Sequence, residues 1–373
     1  MHRWFSGAAG GEDLAGLRAA FRELEQVRNA DGTYELLPGP GRAPVRLVID
    51  YETEELRRDL VFFEQGEQAL FRDLAAENPR LEEQIAAVTG LVGPAPSGLT
   101  FITDRDGTVN NYCGRYRSSV QSAYNAILLT RFVRARARSA VILTSAPLES
   151  FGLLDLSVMP DRSIVMVGSK GREFRDLQGE RYEVPLEEHK QDALREVSRR
   201  ISRLVRKPEY EDFSLIGSAV QFKLGQITCA RQDTYGSIDP ERSERYLATV
   251  RSLVDEVDPE GAVLRIEDTG KDIEIIATRE AGDRDFNKGD GIEFVDRTIG
   301  LDLDGPVLVC GDTASDVPMV DVAAERGADL RVVFVTPGND LKEEVTRRSD
   351  GRCVFVDCPD ALVISLGTLE QGK

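Results

Sequence analysis

Asp104-Arg105-Asp106-Gly107-Thr108 follows directly on the apolar run Leu99-Thr100-Phe101-Ile102-Thr103. Such a run reads as a parallel strand, whose carboxyl end faces the crevice where open α/β sheets bind ligands. Two aspartates two residues apart reach one site while the chain stays extended. One can serve as nucleophile and metal ligand while the other handles protons. Gly107 permits a tight turn, and the Thr108 hydroxyl can donate to a phosphate oxygen. A second run, Val307-Leu308-Val309-Cys310, leads into Gly311-Asp312-Thr313-Ala314-Ser315-Asp316. Its carboxylates are the oxygen donors that a hard cation such as Mg²⁺ takes. Four carboxylates gathered at two strand ends repel one another unless a cation joins them. Thr144, after Val141-Ile142-Leu143, offers a hydroxyl to the same site. Lys288, in Phe286-Asn287-Lys288-Gly289, offers a positive charge for a phosphoryl group.

The elements that must position these residues divide the chain. Residues 11–28 and 53–91 read as helices, with Leu60, Phe63, Leu70, Phe71, Leu74 and Leu81 recurring at helical spacing. Val45–Asp50 reads as a short strand between them. The turn-rich stretch Val92-Gly93-Pro94-Ala95-Pro96-Ser97-Gly98 marks a boundary. Beyond it, strands at Leu99–Thr103, Ser139–Leu143, Gly305–Cys310 and Leu330–Val335, with a helix over Arg117–Arg138, imply a parallel α/β sheet. About a hundred residues of different character interrupt that pattern. They read as a helix over Leu186–Arg206, a hairpin over Ser214–Arg231, a helix beginning near Pro240 and a hairpin over Ala262–Arg279. The expected division is an N-terminal, mostly helical accessory domain at 1–95, a core at 96–179 and 283–373, and an inserted lid at 180–282.

The 373 residues carry a formal net charge of −18. That balance argues against nucleic acid as a partner, because phosphate-backbone binding rests on Lys and Arg. No apolar run approaches the roughly 18 residues that span a bilayer, so a membrane is not expected as a partner. Five scattered cysteines and only two histidines, His2 and His189, argue against a disulfide framework, a zinc site and a histidine-based triad. With no apolar leader after Met1, the expected compartment is the cytoplasm. The first lysine is Lys170, and an acidic, lysine-poor composition is also compatible with a high-salt interior. No chemistry is legible before residue 95; packing or homo-oligomerisation is the expected role there.

The order Asp-x-Asp-Gly-Thr, Thr, Lys, Gly-Asp-x-x-Ser-Asp resembles the four motifs of the haloacid dehalogenase superfamily, over about residues 98–373. The insertion, with its αββαββ pattern, resembles the C2B type of cap. Gly168-Ser169-Lys170-Gly171-Arg172-Glu173 resembles the stretch that opens such caps. The resemblance implies a Rossmann-like α/β core with an α+β cap and a magnesium-dependent phosphatase working through an aspartyl phosphate. The substrate would be a small phosphorylated sugar or glycoside, with trehalose 6-phosphate the leading candidate. It assigns Asp104 as nucleophile, Asp106 as acid and base, Thr108, Thr144 and Lys288 as phosphate-binding groups, and Mg²⁺ to Asp104, the Asp106 carbonyl, Asp312 and Asp316. Cap candidates for the sugar are Lys170, Glu173, Gln221, Lys223 and Arg231. Thr144-Ser145-Ala146 departs from the Ser/Thr-Gly-Arg common among relatives, and Lys170 stands where a histidine is usual. A phosphosugar mutase and a non-catalytic binding protein remain alternatives, although a non-catalytic chain would most naturally have lost a motif aspartate. Metal-dependent glycosyltransferases also carry Asp-x-Asp, but that motif does not account for Asp312 or Lys288.

Overall fold

The computed structural model describes residues 11–36, 44–278 and 285–369. The start of the chain, the end of the second hairpin at Arg279 and the 282/283 boundary lie outside the described residues. Four helices, α1 (Gly11–Val27), α2 (Asp50–Gln65), α3 (Glu67–Glu77) and α4 (Leu81–Val92), make up most of the N-terminal segment. A small hairpin, β1 (Thr33–Leu36) and β2 (Val45–Val48), lies between α1 and α2. The core begins with β3 (Leu99–Asp104), α5 (Ala123–Arg136), β4 (Ala137–Leu143), the single turn α6 (Leu153–Leu156) and the short strands β5 (Val165–Gly168), β6 (Glu173–Arg175) and β7 (Arg181–Glu183). The cap follows as α7 (Glu188–Leu204), β8 (Val220–Lys223), β9 (Gln226–Ala230), α8 (Pro240–Val257), β10 (Leu264–Asp268) and β11 (Asp272–Ala277). The core resumes with α9 (Lys288–Ile299), β12 (Pro306–Gly311), α10 (Val317–Glu325), β13 (Asp329–Val335), α11 (Asn339–Arg348), β14 (Cys353–Val356) and α12 (Pro359–Thr368).

The core sheet has the order β14-β13-β12-β3-β4-β5-β6-β7. It is parallel from β14 to β5, and β6 and β7 are antiparallel. Its central strands are apolar without interruption because both faces are covered. Phe101 and Leu308 face one apolar cluster, whereas Ile102 and Val309 face the other. This topology sets β3 beside β12, so both motif-bearing strands end at the same edge of the sheet. The strand β14 and the 3–4-residue strands β5, β6 and β7 are additions to the elements expected from sequence.

Helix α5 begins six residues later than the expected helix over Arg117–Arg138. The carboxylate of Asp59, on α2, accepts from the amides of Ala123 and Tyr124 at 2.9 and 2.8 Å. These are first-turn donors that lack partners within the helix. A tertiary contact from the N-terminal segment therefore fixes where α5 starts.

The cap sheet is antiparallel, in the order β10-β11-β9-β8. Ile227, Cys229, Ile273 and Ile275 pack towards α7 and α8, into a cluster that also holds Val197 and Val250. By the two-residue period of a strand, Gln221, Thr228 and Glu274 point the other way. The N-terminal segment touches both bodies: Phe62, Leu70, Leu81 and Val88 join one core cluster, while Val45 joins the cap cluster. No helix among the described residues is long and apolar enough to cross a membrane.

Candidate active site

Asp104 closes β3 and is almost fully buried, as is Lys288 at the start of α9. Asn287 caps α9 by accepting from the amides of Gly289 and Asp290, which fixes the turn from which Lys288 projects. Lys288 Nζ lies 2.5 Å from Asp104 Oδ1 and 2.5 Å from Asp316 Oδ1. The other oxygen of Asp316 accepts from the amides of Asp312 and Thr313 at 3.0 and 2.9 Å and from the Thr313 hydroxyl at 3.0 Å. Thr108 Oγ1 lies between Asp104 Oδ2, at 3.2 Å, and Asp312 Oδ1, at 3.3 Å. Gly107, at φ +88°, sits against Asp312, and a Cβ there would come 2.3 Å from its Oδ2. Only glycine lets the first motif turn this close to the second.

Burial pushes Asp104 up to about 7, with Lys288 opposing and the charges of Asp316 and Asp106 adding to the rise. Burial pushes Asp312 further, to about 8, with Asp104 and then Asp316 repelling its charge. Burial works against the charge of Asp316 too, but Lys288 and the two amides outweigh it and hold the carboxylate below its usual range. Lys288 is likewise held protonated, because Asp104 and Asp316 outweigh its own desolvation. Asp104, Asp312 and Asp316 each present an oxygen within 4.8 Å of the others. Two carboxylates forced up by burial and repulsion, on hard oxygen donors, fit a divalent cation such as Mg²⁺. Asp316 also anchors Lys288 and the Asp312 loop, one oxygen on the ammonium and the other on the two amides.

Asp106 sits past the end of β3, where the Gly107 amide bonds to the Asn110 carbonyl at 2.8 Å. Its Oδ1 accepts from Arg105 Nη1 at 2.6 Å and from Ser119 Oγ at 2.7 Å. Both bonds fall on one oxygen, which leaves Oδ2 for a ligand in the cavity that Asp106 lines. That cavity, about 330 Å³, lies between the strand ends and the cap. Asp104, Thr144, Lys288 and Asp312 lie on its floor; Gln221, Lys223, Thr228 and Glu274 line it from the cap. Gln221 pairs with Thr228, and Thr228 with Glu274, so the three form one row across β8, β9 and β11. Thr228 Oγ1 donates to Glu274 Oε2 at 2.9 Å. Burial depresses the Lys223 ammonium, and nearby Glu274 opposes that shift.

Of the five cap candidates, the structure brings Gln221 and Lys223 to the cavity. Arg231 points to the opposite face, where it bonds Ser243 Oγ at 2.9 Å and Asp268 at 2.7 Å and pairs with Glu244. Glu173 is buried in the core, accepting from the Leu148 amide at 3.1 Å, Ser169 Oγ at 2.6 Å and Arg181 at 2.8 Å. Lys170 occupies a left-handed turn at φ +58° after β5, outside the cavity lining. Thr228, Glu274, Arg105 and Ser119 are additions to the residues expected from sequence. For the first two, the signal was present as polar alternation in the hairpins. Arg105 stood unused inside the first motif.

The family model described as trehalose-6-phosphate phosphatase, C-terminal, matches residues 101–362. The chain is 34% identical over 376 aligned positions to the alpha,alpha-trehalose-phosphate synthase (UDP-forming) 2 of Caenorhabditis elegans, covering 95% of this chain and 30% of that protein. It is 34% identical over 270 positions to the trehalose-phosphatase of Brugia malayi, covering 70% of this chain and 54% of that one. The chain thus spans between about a third and a half of these relatives' length. Among solved structures, the C-terminal domain of the C. albicans trehalose-6-phosphate phosphatase aligns at a TM-score of 0.49 and 15% identity, covering 79% of this chain and 96% of that one. Since the family match runs from within β3 to within α12, through both motif-bearing strands and the whole cap, the chain belongs to the trehalose-6-phosphate phosphatase family.

Proposed function

We propose that the chain hydrolyses trehalose 6-phosphate, with Asp104 as the group that attacks phosphorus. The observation that carries this reading is the cavity itself, which sets Asp104, Asp106 and Asp312 opposite a polar row on the cap sheet. Asp104 forms a covalent aspartyl phosphate as the sugar oxygen departs, which divides one hard displacement into two easier ones. Asp106 gives its proton to that oxygen through Oδ2, then takes one from the water that releases phosphate. Lys288 and the hydroxyls of Thr108 and Thr144 steady the phosphoryl oxygens. Lys288 also keeps Asp104 directed at its partner through the short ion pair between them. Mg²⁺ held by Asp104, the Asp106 carbonyl and Asp312 would offset the negative charge that otherwise keeps one anion from attacking another.

Gln221, Lys223, Thr228 and Glu274 offer donors and acceptors to sugar hydroxyls on the far side of the cavity. A lid enclosing a small molecule excludes water and makes remote hydroxyl contacts contribute to the chemical step. The test is phosphate release from a panel holding trehalose 6-phosphate, glucose 6-phosphate and sucrose 6-phosphate, with Mg²⁺ and with excess chelator. Mg²⁺-dependent release with trehalose 6-phosphate as the preferred ester is the expected result. A folded protein that leaves every ester intact, or works fully in chelator, overturns the reading.

A further inference from the structure

The segment before residue 95 contributes no group to the chemistry above, yet one of its side chains reaches towards Asp106 through a run of polar contacts. Tyr51, in the first turn of α2, donates its hydroxyl to the Val120 carbonyl at 2.7 Å. The same hydroxyl accepts from Asn110 Nδ2 at 3.1 Å. Asn110 is fully buried; its Nδ2 also donates to the Asn111 carbonyl at 3.1 Å and lies 3.4 Å from Ser119 Oγ, where one hydrogen is shared between the two. Ser119 Oγ in turn donates to Asp106 Oδ1 at 2.7 Å. Asn110 also organises the loop's backbone: its amide bonds to the Arg105 carbonyl at 2.9 Å and its carbonyl takes the Gly107 amide. Arg105, the other donor to Asp106 Oδ1, bonds the Ser119 carbonyl too. Tyr51 therefore grips the loop at Asn110 and Val120 together, and the two groups that orient Asp106 meet between those points. Its neighbours reinforce the hold: the Val48 carbonyl and Glu52 take Arg115, and Glu55 takes Asn111 at 2.9 Å.

We propose that Tyr51 is a positioning residue for Asp106, acting through Asn110 and Ser119 to keep Oδ1 engaged and Oδ2 directed at the leaving oxygen. The inference rests on the reading of Asp106 as the proton donor. A proton donor must lie within hydrogen-bond reach of the departing atom, so a rotated carboxyl loses its function without leaving the site. Loss of the Tyr51 hydroxyl frees one link in the run and keeps the aromatic packing.

The distinguishing readout is the leaving group. A sugar alkoxide needs a proton to depart, whereas p-nitrophenolate leaves as the anion. Measured as kcat/KM, which reports steps up to that departure, Tyr51→Phe in the full chain should lower turnover of trehalose 6-phosphate about fivefold, the worth of one ordinary hydrogen bond. Hydrolysis of p-nitrophenyl phosphate should stay within twofold of wild type. Ser119→Ala, one link closer, should show a larger loss on trehalose 6-phosphate. The double variant should be no worse than Ser119→Ala alone, because a cut near Asp106 makes the outer link redundant. Equal losses on both esters, or losses that multiply in the double variant, would overturn the positioning role. So would unchanged sugar-phosphate turnover in a folded Tyr51→Phe protein. Wild-type protein that releases phosphate from neither ester would instead sink the phosphatase reading on which the inference stands.

Discussion

The floor and the roof of the cavity are built on different principles. On the floor, buried Asp104 and Asp316 are each bonded to buried Lys288 at 2.5 Å, with backbone amides filling the other oxygen of Asp316. On the roof, Lys223 is half-buried on β8, and Glu274, two strands away on β11 of the same sheet, opposes the fall that burial imposes on its ammonium. Groups that already hold each other in place cost little reorganisation when charge develops in a transition state. Groups left with spare donors and acceptors can exchange water for hydroxyls of a ligand. The floor therefore suits chemistry common to any phosphate ester, and the roof suits choosing among alcohols. Substitutions on the two sides should separate accordingly.

The largest effect belongs to Asp104. Asp104→Asn keeps the shape but loses the anionic nucleophile, and kcat should fall at least about 10³-fold on every ester. Phosphate release is the measurement, with thermal unfolding to establish that the variant is folded. Next comes Gly107→Ala. It demands φ +88° of a residue with a Cβ and drives that Cβ into Asp312. A shift of the two motifs by an ångström should cost about 10²-fold in kcat, again on all esters.

Metal binding should depend on pH in a direction set by the floor. In the ion-free protein Asp104 and Asp312 are pushed up to about 7 and about 8. Below that range both hold protons that Mg²⁺ must displace, so affinity falls as pH drops from 8 towards 6. The thermal shift on adding Mg²⁺ should be larger at pH 8.5 than at pH 6. A shift that is the same at both would remove these carboxylates from the donor set. On the roof, Lys223→Ala should lower kcat/KM for the sugar phosphate about tenfold, while p-nitrophenyl phosphate turnover stays near wild type. Parallel losses on both would erase the contrast between floor and roof.

The floor was legible in the sequence because a parallel strand writes its function at its end: an uninterrupted apolar run, then carboxylates. The roof was legible as hairpins but not as a face, because alternation shows that a strand has two sides without showing which meets the cavity. Short strands such as Arg181–Glu183 are too brief and too polar to announce themselves. Tyr51 was out of reach for a different reason. Its partners lie 59 and 69 residues away, and nothing in α2 differs locally from an ordinary packing helix. The same distance hid the role of Asp59 in starting α5.

Arg231 should show the smallest effect on catalysis, and its parity explains why. Within β9, Gln226 and Thr228 face Glu274, so odd-numbered positions face α8. Arg231 continues that odd series just past the strand, where its own amide and that of Gln232 both bond to the Lys271 carbonyl. There its guanidinium binds Ser243, Asp268 and Glu244, with 7% of the side chain exposed. A buried cation held by three partners serves the packing of the cap, and truncating it removes the stem that fills the space beneath α8. Arg231→Ala should therefore lower stability by about 2 kcal/mol, seen as a lower Tm. The ratio of sugar-phosphate to p-nitrophenyl phosphate turnover should stay at the wild-type value below the unfolding temperature. A changed ratio with an unchanged Tm would place Arg231 with Lys223 on the side of the cap that reads the substrate.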